Sequence, residues 1–157
     1  MGLGLSVAVV VAVLDQLTKL WVIHFFEARP VGAPVAAVMP FFNLVLTGNR
    51  GMSFGLFNND AAANTAVFTA LAAIIVVGLA FWLRRAETPV LRVGIGLVIG
   101  GAIGNVIDRV IRGAVVDFLD FYIGDWHWFA FNVADAAICL GVVALLLDGL
   151  LGRARSA

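Results

Sequence analysis

The sequence predicts an α-helical membrane protein: four transmembrane helices with a small extracytoplasmic β-sheet and an outer loop. Three observations carry this reading. Of 157 residues, 62% are hydrophobic and 13% charged, where soluble domains run to about half and about a quarter. The mean hydropathy is +1.05. The apolar residues gather in four blocks near the length of about 20 residues that a helix needs to cross a bilayer.

The first block runs from Leu3 to Phe26 and is interrupted by Asp15, Gln16 and Lys19. Its opening Met1-Gly2-Leu3-Gly4-Leu5-Ser6 has the form of a myristoylation site, but a segment that itself enters the bilayer gains nothing from an acyl anchor. It lacks the basic start and unbroken apolar stretch of a removable signal peptide, so it reads as a permanent helix. Residues 27–60 contain Pro30, Pro34, Pro40 and a cluster of Gly and Asn. Within them Val35 to Val38 and Phe41 to Thr47 read as strands of a sheet lying on the membrane surface. The second block, Ala61 to Leu83, carries no charge. The third spans Leu91 to Ile111, and Gly96, Gly100 and Gly104 give it small-xxx-small steps for helix packing. Residues 112–128 come next as an outer loop, and the fourth block runs from Phe129 to Leu151 with Asp135 near its start. No repeat, low-complexity tract or linker divides the chain, so residues 1–157 read as one domain.

Arg84, Arg85 and Arg92 border the short turn after the second block, and Arg153 and Arg155 lie in the tail. Basic loops stay in the cytoplasm, which places both termini there and turns residues 27–60 and 112–128 outward. Trp21, Trp82, Trp126 and Trp128 fall near span ends, as interfacial aromatics do. Ten Lys plus Arg balance ten Asp plus Glu, so no net field draws nucleic acid and no such partner is expected. The single cysteine, Cys139, has no internal partner and reads as a small core residue.

Ionisable groups inside a bilayer cost about 2.5 to 3.5 kcal/mol each, which makes them functional candidates facing the bundle interior. Asp15 and Lys19, four apart with Thr18 beside them, share a helix face. They are either a self-neutralising pair that locks the helices or part of a substrate site. Asn105, Asp108, Arg109 and Arg112 share another face, and a neighbouring cation keeps Asp108 ionised, which favours a structural clamp over a catalyst. Asn132 and Asp135 lie one turn apart at the head of the fourth block, while Asp117 sits poorly solvated between Val115-Val116 and Phe118. If these two acids meet, they share one proton, one activating water and the other donating a hydrogen bond, as in aspartic hydrolysis. The competing reading makes Asp117 one solvated loop acid beside Asp120 and Asp125, with Asp135 a helix cap. Spacing alone leaves both open.

Other chemistries fit less well. Gly51-Met52-Ser53-Phe54-Gly55 matches a G-x-S-x-G pattern, but that motif needs a strand-turn-helix setting and a histidine partner. His24 and His127 have no motif around them and no metal-ligand spacing, so no metal or cofactor is expected. An ion relay built from Asp15, Lys19, Asp108 and Asp135 would distribute its charges through the membrane depth, whereas Asp117 and Asp135 fall at one surface. A small scaffold protein would explain the glycine steps and not the acids.

Five blocks taken together resemble the lipoprotein signal peptidases, or type II signal peptidases. They are Asp15-Gln16-Leu17-Thr18-Lys19; Asn49-Arg50-Gly51-Met52-Ser53-Phe54-Gly55; Gly100 through Arg109; Val115-Val116-Asp117-Phe118; and Phe131-Asn132-Val133-Ala134-Asp135. They occur in the family's order on a chain of the family's size. The resemblance implies a multi-pass enzyme of the bacterial cytoplasmic (inner) membrane, with its active site near the outer face. Its substrate would be a prolipoprotein, cut just before a cysteine carrying diacylglycerol, with membrane lipid around it and globomycin as inhibitor. The family's catalytic pair corresponds to Asp117 and Asp135. Asp15, Lys19, Asn49, Gly51, Asn105, Asp108, Arg109, Asn132 and Ala134 match positions that shape the site or hold substrate. The implied mechanism is direct attack of water on the scissile carbonyl, with either aspartate as base, no acyl-enzyme and no metal.

Overall fold

The computed structural model of the chain describes residues 1–30, 34–50 and 61–155. Four helices, α1 (Gly2–Glu27), α2 (Ala61–Leu83), α3 (Pro89–Arg112) and α4 (Val133–Arg155), are each long and apolar enough to cross a membrane. Four strands, β1 (Val35–Met39), β2 (Phe42–Asn49), β3 (Val115–Ile123) and β4 (Trp126–His127), form one antiparallel sheet in the order β1-β2-β3-β4. The protein is thus a four-helix membrane protein with a small sheet at one end of the bundle.

Helix α3 is the hub, packed against α1, α2 and α4. It starts at Thr88, whose Oγ1 accepts from the Leu91 amide at 3.0 Å, with Pro89 pre-set for the first turn. The same hydroxyl donates to Asp148 Oδ1 of α4 at 2.5 Å, tying the two helices together at the turn end. At the other end Gly113 takes φ +74°, the left-handed conformation that closes a helix, and its amide bonds the Arg109 carbonyl at 3.1 Å. The chain enters β3 two residues later.

Lipid tails are as apolar as leucine, so membrane helices adhere through close van der Waals contact. The glycines of α3 provide it on two sides. A Cβ on Gly100 would lie 2.6 Å from the Ala8 carbonyl oxygen and 2.7 Å from Val11 Cβ of α1, while Gly94 and Gly101 give α4 the same close approach. The expected packing role of Gly96, Gly100 and Gly104 therefore holds, with α1 as the partner. In the last turns of α1, Val22 and Phe26 pack against Ala36 of β1 and Phe118 of β3, which seats the sheet on the helix end.

Three expectations are corrected. Residues 112–128 are not a loop but contain β3 and β4, because Val115, Val116, Phe121, Tyr122 and Ile123 are strand formers, the first three pairing with β2 and the last two with β4. The fourth helix starts at Val133 and not at Phe129, since Phe131 bridges to Leu119 of β3. Cys139 is exposed on the outward side of α4 and is not a core residue. Strands over Val35 to Val38 and Phe41 to Thr47 are found within two residues of the expected ends.

Replacing Gly100 with Val should destabilise the protein by about 1 to 3 kcal/mol, the usual cost of overpacking, read as a lower thermal unfolding midpoint in detergent. Gly78→Ala on α2, where a Cβ meets nothing within 4 Å, should be neutral or stabilising by up to about 1 kcal/mol.

Candidate active site

The site begins with an ammonium group that water does not reach. Lys19 of α1 is fully buried, as are Asp15 and Asp108. Its Nζ lies 2.8 Å from Asp15 Oδ2 and 2.7 Å from Asp108 Oδ2, and it donates to Asn105 Oδ1 at 3.1 Å. All three ammonium hydrogens are thereby used. Asp108 also accepts from Arg112 at 2.6 Å, from Gln16 Nε2 at 3.1 Å and from the Val116 amide at 3.1 Å. Asp15 accepts from the Ala134 amide at 2.9 Å. Two cations and two anions cancel, and the cluster joins α1, α3, β3 and the first turn of α4. A buried pair of this kind is costly to break from one side.

On this base stand the two candidate catalytic acids, held by three asparagines. Asn105 Nδ2 donates to Asp135 Oδ1 at 2.8 Å. Asn49, at the end of β2, donates to Asp117 Oδ2 at 3.0 Å. Asn132 touches both acids: its Nδ2 donates to Asp117 Oδ1 at 2.7 Å, and its backbone amide to Asp135 Oδ2 at 3.3 Å. The Asp135 amide returns a bond to Asn132 Oδ1 at 3.0 Å. Asn132 and Asp135 thus form a reciprocal N-terminal capping box on α4. Asp135 caps the helix, as the competing reading expects, and Asn132 links it to Asp117.

Asp117 is 2% exposed. Burial pushes its carboxyl up to about 6, reinforced by the charge of Asp135 and opposed by the Asn49 and Asn132 amides and by Lys19. A cleft of about 750 Å³ opens onto it, lined by Thr47, Gly48, Asn49, Arg50, Phe129 and Ala130 among others. A separate groove of about 270 Å³ lies between α2, α3 and α4, its lining including Phe68, Leu71, Ile75, Ile138, Asn105 and Arg109. Arg109 is reached by the charges of Asp135, Asp117 and Asp108, and its buried Nε has no hydrogen-bond partner. The arrangement offers the Asp117 carboxyl on the wall of a cleft, with Asp135 linked to it through Asn132, and Arg109 in the lining of a separate, mostly apolar groove.

The structure brings Asp15, Lys19, Asn49, Asn105, Asp108, Asp117, Asn132, Ala134 and Asp135 into one connected network, with Arg109 beside it. Ala134 takes part through its backbone amide. Gly51 lies outside the described residues. Sequence reasoning misses Gln16, which bonds Asp15 Oδ2, Asp108 Oδ1 and the Gly104 carbonyl; an uncharged amide inside a span is the signal that could have found it. Among the described residues no three His, Cys, Asp or Glu side chains gather as metal ligands.

Comparison with known proteins gives the family and the fold. Residues 7–151 match the family model described as signal peptidase (SPase) II. The chain is 47% identical to a lipoprotein signal peptidase of Rhodopseudomonas palustris over 154 residues, covering 96% of this chain and 93% of the relative. It is 44% identical to one of Nitrobacter hamburgensis over 152 residues, covering 94% and 92%. It superposes on a bacterial membrane enzyme solved by the in meso method at 2.3 Å resolution, with a TM-score of 0.81 and 28% identity over 100% of this chain and 93% of the other.

The two acids and the ion cluster beneath them should respond differently to substitution. Because the fold holds Asp117 protonated up to about 6, the native state binds the proton more tightly than the unfolded chain, and stability falls as pH rises from about 4 to about 6. Asp117→Asn should therefore gain on the unsubstituted protein by roughly 2 to 3 kcal/mol across that window, read by unfolding in detergent at a series of pH values. A gap independent of pH would contradict the assignment. Asp108→Asn should cost about 3 kcal/mol of stability and lower the folded yield more than the turnover of each folded molecule. Equal turnover loss at full yield would move Asp108 into the chemistry.

Proposed function

The chain belongs to the signal peptidase II family, and we propose that it is an aspartic endopeptidase that removes signal peptides from prolipoproteins, with Asp117 and Asp135 activating water. The observation that carries this reading is Asn132, whose side chain bonds one carboxyl and whose backbone bonds the other. A residue so placed holds two acids side by side, which is the requirement for a dyad sharing one proton.

Burial favours the neutral form of Asp117, which suits it to the acid role. Asp135 takes a proton from water as the oxygen attacks the scissile carbonyl, and Asp117 gives its proton to the carbonyl oxygen. In the collapse the C–N bond breaks, Asp135 passes its proton to the leaving nitrogen, and Asp117 recovers one from the diol. The dyad returns to its starting state. Asn105, oriented by Lys19, keeps Asp135 aimed. On this reading Arg109, which lines the groove between α2, α3 and α4, holds a substrate carbonyl, and Asn49 and Asn132 steady Asp117 throughout.

The substrate on this reading is a precursor whose cleavage-site cysteine carries diacylglycerol, the peptide lying in the polar cleft and the acyl chains in the apolar groove between α2, α3 and α4. The enzyme sits in the bacterial inner membrane as a single domain, with both termini cytoplasmic and the sheet and dyad at the outer face. The arginines at the turn between α2 and α3 support that orientation. Globomycin is the expected inhibitor.

Asp117→Asn and Asp135→Asn should each reduce cleavage of a lipidated precursor by about 10³-fold or more, while the protein still inserts and folds. Cleavage retained in either variant would sink the dyad. If the protein instead carried ions, precursor processing would be untouched by both changes.

A further inference from the structure

A second cluster of polar side chains lies outside the network just described. Asp120 stands three residues beyond Asp117 on β3 and is 7% exposed. It accepts from Asn43 Nδ2 of β2 at 3.0 Å, and its two oxygens lie 3.0 and 2.9 Å from His127 Nδ1 of β4. Facing a carboxylate, Nδ1 is the donor in both the neutral and the charged ring. One carboxylate therefore ties three adjacent strands. The His127 ring also stacks on Tyr122, with centroids 5.0 Å apart and planes at 17°.

β4 has only two residues, Trp126 and His127, too short a ladder to fix a strand by itself. The segment that leaves β4 leads directly to the two acids. It runs back along β3, where the Trp128 amide bonds the Phe121 carbonyl at 2.8 Å and the Phe131 amide the Leu119 carbonyl at 3.1 Å. The Phe131 carbonyl accepts in turn from the Phe118 and Leu119 amides. The next residue is Asn132. Between the pinned ends, Phe129 and Ala130 line the cleft.

We propose that Asp120 and His127 are a positioning pair for the dyad: their bond fixes residues 126–131 against β3 and so holds Asn132 between Asp117 and Asp135. Neither side chain touches the reacting atoms. The kinetic part of this proposal rests on the peptidase reading of the two acids; the structural part does not.

The test uses the full-length protein in detergent micelles. His127→Phe keeps a ring against Tyr122 and removes the donor, whereas His127→Asn puts an amide nitrogen near the place of Nδ1. His127 is about half exposed, so neither change opens a core. On a diacylated precursor, with rates normalised to folded protein, H127F should lower kcat about tenfold and change KM by less than about twofold. H127N should restore most of the loss. Without substrate, amide hydrogen exchange at Phe118, Leu119 and Phe131 should quicken in H127F and not in H127N. An unchanged kcat in H127F, a loss that H127N does not restore, or unchanged exchange in H127F would each overturn the pair. An unsubstituted protein that leaves the precursor uncut would overturn the peptidase reading instead, and the exchange result would still decide the latch.

Discussion

The molecule depends on one buried ammonium group. Lys19 has no water to bond, so its three hydrogens must be spent inside the protein, on Asp15, Asp108 and Asn105. Each of these partners then does something further. Asp15 receives the first-turn amide of α4, Asp108 receives the Val116 amide at the start of β3, and Asn105, with its oxygen taken by Lys19, has its nitrogen turned toward Asp135. A charge placed on α1 is thus tied to the first turn of α4, to the start of β3 and, through Asn105, to Asp135. The membrane makes this arrangement obligatory, because an unmatched charge has nowhere else to go.

Most of the architecture is legible in the sequence because the bilayer imposes length and apolarity directly. The four spans and the first hairpin come from blocks of Leu, Val, Ala and Phe and from β-branched runs between prolines. The third strand is not legible in the same way. Asp117 and Asp120 interrupt it at positions where solvated acids would mark a loop, and what makes them strand residues is Asn49 and Asn43, 68 and 77 residues away in the chain. The start of α4 fails for a related reason: Phe129 and Phe131 extend the apolar block, but the Phe131 backbone is committed to β3. Local pattern carries no information about a partner that only folding brings near.

The site shows the same division. Asp15 with Lys19, and Asp108 with Arg112, are visible as pairs four residues apart on one helix. Their union into one cluster across α1 and α3 is not. Asn132 and Asp135 have the spacing of a capping box, which by itself indicates only a helix start. The capping geometry aims the Asn132 side chain, and from that direction it reaches Asp117. An ordinary device for beginning a helix thus links Asp135 to Asp117, and Gln16, visible as a break in the first span, suggests no site role because an amide carries no charge that demands a partner.

The glycine faces of α3 divide the bundle into regions with different freedom. Along α1 and α4 its backbone lies so close that even a methyl group has no room. Helix α2, by contrast, packs mainly on α3 and leaves more than half of its described residues exposed. Adjustment to bilayers of different thickness or viscosity therefore falls to α2 and the outward side of α4, where side chains can drift in size and shape. The inner wedge of α1, α3 and α4 is packed too closely for such drift, so the arrangement of its buried polar groups can be kept across membranes of differing lipid composition.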